Sequence, residues 1–84
     1  MATDETRIAL IGIIIEDPSC TEELNSILHD YSDIVVGRMG IPYRSKGVSI
    51  ISLVVDATVD VTSSLAGKLG MLPGVNVKTV YSKK

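Results

Sequence analysis

Phenylalanine and tryptophan are missing from the sequence, and its only aromatic side chains are three tyrosines. The core must therefore be aliphatic. Isoleucine, valine and leucine dominate the apolar residues, and these side chains suit sheet interiors. The one cysteine, Cys20, excludes an internal disulfide, and it cannot alone supply a four-cysteine zinc or iron–sulfur site. The one histidine, His29, cannot build a metal site without a second chain bringing another. Positive charge is not in excess. The net charge of −2 argues against nucleic acid, whose phosphates draw on a basic surface. No apolar run reaches the roughly 18 residues of a membrane span. The opening "MATDETR" is too polar and acidic for a signal peptide. These absences lead to the expectation of a cytoplasmic protein with no metal and no cofactor.

What is present is one domain's worth of chain, 84 residues, with a polar flexible tail expected at 1–6 and a single domain at 7–84. "RIALIGIIIE" (7–16) is dense in β-branched residues and reads as a strand. "DPSCTEELNSILHDYSD" then opens a helix. Either Asp17 caps it with Pro18 in the first turn, or Ser19 caps it with Glu22 completing a capping box. Cys20, Leu24, Ile27, Leu28 and Tyr31 recur at helical spacing. A second strand is predicted at 33–40, a loop at 40–47 and a third strand at 48–57. A second helix spans 59–69, capped by Thr58 or Asp60, with Val61, Leu65, Leu69 and Leu72 as its apolar stripe. A fourth strand follows at 74–82. The order β-α-β-β-α-β predicts an α+β ferredoxin-like sandwich, a four-stranded antiparallel sheet with two helices on one face. A parallel sheet would need a crossover helix between the second and third strands, and the loop there is too short.

The two central strands are apolar on both faces. Ile8, Leu10 and Ile14 alternate with Ala9, Ile11, Ile13 and Ile15; Val48, Ile50 and Val54 alternate with Ile51, Leu53 and Val55. Helices cover only one face, so an apolar face would be left open, larger than soluble monomers usually tolerate. A homo-oligomer is expected, a face-to-face or edge-sharing dimer or a tetramer. Ile11, Ile13, Ile51, Leu53 and Val55 are the expected interface residues.

"AGKLGMLPGVNVKT" (66–79) resembles a phosphate loop only superficially. Leu69 stands where that motif needs Ser or Thr, and the glycines fall at a helix C-terminus, where the dipole repels phosphate. Gly70 suits a left-handed cap position, Met71 its apolar contact and Pro73 a stop. Gly67, inside the helix, suggests a close approach by the sheet or by another chain. Cys20 reads as a buried thiol and His29 as a solvated side chain. Arg38, Arg44 and Lys46 gather with Tyr43 around the hairpin between the second and third strands. They can bind an anionic group, although hairpin charge more simply keeps an edge soluble. Glu16 and Asp17 are adjacent carboxylates without a visible nucleophile or base beside them. No catalytic constellation appears.

The segments "IIIEDPS", "LNSILHDYSDIVVGRMGIPY", "VSIISLVVDAT" and "LAGKLGMLPGVNVKTV" together resemble the small iron-only hydrogenase system regulators, over about residues 7–84. The resemblance implies a ferredoxin-like, ACT-like fold. It also implies similarity to the C-terminal domain of nickel-responsive repressors, which assembles through its sheets. The repressors' DNA-binding arm and their several-histidine metal site have no counterpart here, so no direct nucleic-acid binding is expected. The "EDPS" turn resembles the ligand turn of ACT domains, with Ser19 in place of its glycine. The expected ligand region is therefore Glu16, Asp17, Pro18 and Ser19 together with Arg38, Gly40 and Tyr43. The reading is a non-enzymatic, homo-oligomeric regulatory module that binds a small effector or a protein partner. The alternatives are a small ferredoxin-like dimeric enzyme with a pocket at the sheet face, and a purely structural assembly subunit.

Overall fold

The computed structural model describes residues 5–83. Of the tail expected at 1–6, residues 1–4 lie outside the described residues. Glu5 and Thr6 lead, exposed, into strand β1, Arg7–Ile15. Helix α1 (Thr21–Asp30), strands β2 (Val35–Tyr43) and β3 (Val48–Ala57), helix α2 (Val59–Gly70) and strand β4 (Val75–Tyr81) complete the chain. The sheet order is β2-β3-β1-β4, and every neighbouring pair is antiparallel. This is the ferredoxin-like arrangement that the element order predicts.

The helix starts are set by short polar side chains. The Asp17 carboxylate accepts from the Ser19 backbone N–H at 2.9 Å and starts a one-turn 3₁₀ segment, Pro18–Cys20, that leads into α1. Pro18 takes the first position, where its missing N–H costs nothing. Of the two capping schemes, Asp17 with Pro18 forms; the Ser19–Glu22 box does not, because Ser19 is already inside the turn. On α2, the Thr58 hydroxyl accepts from the Val61 N–H at 3.2 Å, so Thr58 rather than Asp60 is the cap.

The core lies between the helices and one face of the sheet. Leu24 and Leu28 of α1, and Leu65 and Leu69 of α2, pack on Ala9, Ile11, Ile13, Leu53 and Val55. Ile11, Ile13, Leu53 and Val55 are fully buried and Ile51 is nearly so. These five were the expected interface residues. They face this chain's own helices, so they are core, and the open face carries the other half of each strand. Hydropathy could not choose between the halves, because both are aliphatic.

Four local expectations change. Strand β2 runs on through Gly40 and Pro42 to Tyr43, where a loop was predicted. It is an edge strand, and an edge tolerates proline. The hairpin turn shrinks to Arg44–Lys46, closed by Gly47 at φ 66°. On α2, Val61 is exposed and Thr62 is buried in its place. With Leu65 and Leu69 aimed at the sheet, position 62 falls on the sheet side, and apolarity alone had favoured Val61. Finally, Gly70 is not left-handed and Met71 is 84% exposed. The left-handed residue is Gly74, at φ 74°. A Cβ there would stand 2.5 Å from the Cβ of Asp17, so only glycine fits. Gly67 is exposed, and among the described residues nothing outside its own helix backbone comes within 4 Å of where a Cβ would stand.

Candidate functional site

Helix α1 sits over the centre of the sheet and leaves β2 bare, with no residue of that strand buried. Leu24 and Leu28 hold α1 to the core. One step around the helix, Asn25 and His29 follow at i, i+4 spacing and face the overhanging strand, and Ser32 lies a turn beyond. Opposite them stands Arg38, whose strand position, paired with Leu53, puts it on the helix side of the sheet. Together they bound a hollow of about 450 Å³ floored by Leu28, Val35 and Leu53. A second hollow of about 300 Å³ continues along the strand, sharing Asn25 and Arg38 and lined further by Leu24, Gly40, Pro42 and Ile51. A third, of about 180 Å³, lies beyond it where Pro18 and Thr21 meet Tyr43 and Arg44. The three form a trough between α1 and β2, with an apolar floor and a few polar groups on its walls, the usual composition of a ligand site.

The predicted ligand residues divide. Arg38 and Gly40 line the middle of the trough, and Pro18 and Tyr43 meet at its end. Glu16, Asp17 and Ser19 do not join them. The Glu16 backbone N–H donates to the Gly74 carbonyl at 2.7 Å, which ties this turn to the start of β4. The Asp17 carboxyl is held below its ordinary value by the Ser19 amide first and the Ser19 hydroxyl second. Its stabilising contribution is thus present above the unfolded carboxyl value and fades as pH falls through the folded one. These residues do capping work. Asn25, His29 and Ser32 were missed as a group, and their i, i+4, i+7 spacing beside the Leu24–Leu28 stripe was the available signal.

Elsewhere, hydroxyl pairs tie α2 to its neighbours. Tyr31 shares a hydrogen bond with Ser64 at 3.0 Å, and Tyr81 with Ser63 at 3.2 Å. The Ser64 bond, then Lys68, lowers the Tyr31 phenol below its usual range, and the Lys68 ammonium stands 5.2 Å from the ring centroid. Cys20 is buried, its thiol donating to the Asp17 carbonyl at 3.2 Å. Among the described residues, no group of three or more His, Cys, Asp or Glu side chains is placed to hold a metal ion. Among them, too, no helix is long and apolar enough to cross a membrane.

Fold and trough define a small ferredoxin-like α+β domain with one concave, uncovered side. The chain belongs to the TM1266-like family, described as iron-only hydrogenase system regulators, whose family model matches residues 7–79. It is similar to the solved structure of the uncharacterized protein TM1266 from Thermotoga maritima, at 35% identity and a TM-score of 0.90. The match covers 94% of this chain and 100% of that one. No curated protein matches the chain.

Proposed function

We propose that the protein is a cytoplasmic, non-enzymatic regulatory module of an iron-only hydrogenase system, working as a homo-oligomer built on the open face of its sheet. The observation that carries this reading is that face. Ile8, Leu10, Ile14 and Ile50 stand there 36–46% exposed, flanked by Met39, Ile41 and Val80, which are 46–64% exposed. The register sets Leu10 between Val54 and Val80, and Ile14 opposite Ile50; between these two apolar rows Gly12 stands between Ser52 and Lys78, with Met39 beside Ser52. Together these side chains leave a broad, largely aliphatic surface uncovered, the kind of surface that a partner covers in a standard interface of roughly 800 Å² a side. Soluble monomers ordinarily leave little such surface exposed in one place. A second copy is the occupant that such a surface fits, because a two-fold axis sets an aliphatic patch against itself.

The family supports the regulatory half of the reading. Light scattering and sedimentation equilibrium test the other half. The expected mass is that of two or more chains for the wild type and of one chain for Leu10→Glu, with the fold retained in both. A wild-type mass of one chain overturns the assembly. In a host with an iron-only hydrogenase, deleting the gene is expected to change hydrogenase expression, and Leu10→Glu is expected not to restore it. Unaltered expression after deletion overturns the regulatory assignment.

A further inference from the structure

We propose that the trough between α1 and β2 binds a small monocarboxylate with a branched apolar tail. This names the effector class of the regulatory reading and rests on it for its role, but the binding itself does not depend on assembly.

Arg38 carries the proposal. Its guanidinium has no ion-pair or hydrogen-bond partner among the described residues, although it lines both of the larger hollows. An arginine fork above an apolar floor matches a carboxylate, which it can grip with two parallel hydrogen bonds. The Asn25 amide and Ser32 hydroxyl stand in the same hollow and can donate to the same group. Among the described residues, no aspartate or glutamate lines either hollow. An anion therefore meets no like charge on the walls, and a ligand ammonium group finds no ionic partner.

Two features narrow the anion to a monovalent one. Among the described residues, Arg38 is the only Arg or Lys lining the two hollows. The 450 Å³ hollow also lies along the C-terminal half of α1, beside Leu28, His29 and Ser32. That end of a helix carries partial negative charge, so it disfavours a dianion such as phosphate. The tail is set by the adjoining 300 Å³ hollow. Leu24, Ile51 and Pro42 line it, and Gly40 adds no side chain. A branched aliphatic group reaching from Arg38 into this hollow buries its surface against them.

The test is an NMR titration of the isotopically labelled protein with 4-methylpentanoate, its uncharged amide, leucine and inorganic phosphate. Saturable shifts are expected for the amides of Asn25, His29, Arg38 and Leu53 with 4-methylpentanoate. Affinity should fall at least tenfold for the amide, for leucine and for phosphate. Arg38→Gln should lose at least tenfold, while Lys46→Gln, which removes equal charge from the hairpin turn, should bind as the wild type does. Melting temperatures of both variants should match the wild type, since both side chains are exposed. Shifts that never saturate, Arg38→Gln binding unchanged, or tighter binding of leucine or phosphate would each overturn the proposal. The oligomeric mass is measured on the same samples. A single-chain mass with saturable binding removes the assembly and keeps the site; an oligomeric mass without binding does the reverse.

Discussion

The two faces of the central strands share aliphatic residue types, and those residues have opposite fates. On β1, Ile11 and Ile13 are 0% exposed, whereas Leu10 and Ile14, one residue away from them, are 42–44% exposed. On β3, Leu53 is fully buried while Val54 is half-buried. Period-2 alternation ordinarily separates an apolar inside from a polar outside. Here it separates two aliphatic sets, and only the arrival of two helices on one of them makes an inside. The uncovered set retains the composition of a core without being one. The proposed assembly rests on that difference.

The sharpest way to break this comparison is to make one substitution on both faces. Leu53→Ala should cost about 2–5 kcal/mol, as a fully buried leucine. Leu10→Ala should cost about 1 kcal/mol or less in dilute single-chain conditions, since nearly half of its side chain is already in water. Urea denaturation at low protein concentration measures both, and equal costs would show that the faces do not differ as described. Gly74→Ala attacks the clasp at one end of the covered face. It strains a φ of 74° and drives a Cβ into Asp17, with an expected loss of about 1–3 kcal/mol. A lowered melting temperature checks it, and an unchanged one counts against the clasp. The smallest effect sharpens the comparison from inside. Thr62 is fully buried and its Oγ1 has no hydrogen-bond partner among the described residues. Thr62→Val should therefore stabilise the protein by about 1 kcal/mol, read as a higher denaturation midpoint at unchanged slope.

Most of the element order was legible, because its signals are local. Pro18 after Asp17, Thr58 before Val61, and β-branched runs at 7–15 and 48–57 are each read within a few residues. The failures were also local, but their causes were distant. Gly70 looked like the left-handed cap, yet the demand for glycine falls at 74, where Asp17 from another turn presses in. Residues 40–43 looked like a loop, yet pairing with β3 extends them as strand. Arg38 was singled out from the hairpin charges. Its neighbours Asn25 and His29 were not, since nothing near them in the chain says which strand their side of α1 overlooks.

The sequence by itself determined the periods: two-residue alternation in four strands, 3.6-residue stripes in two helices, and the polar caps that start them. These follow from backbone geometry and side-chain chemistry over neighbouring positions. Only the tertiary structure decided which aliphatic half of β1 and β3 became the core, and that β2 would overhang α1 to leave a trough. Both outcomes depend on where a helix lands across the sheet. That placement comes from packing between segments far apart in the chain, and a local pattern with two equally apolar faces contains no preference for either.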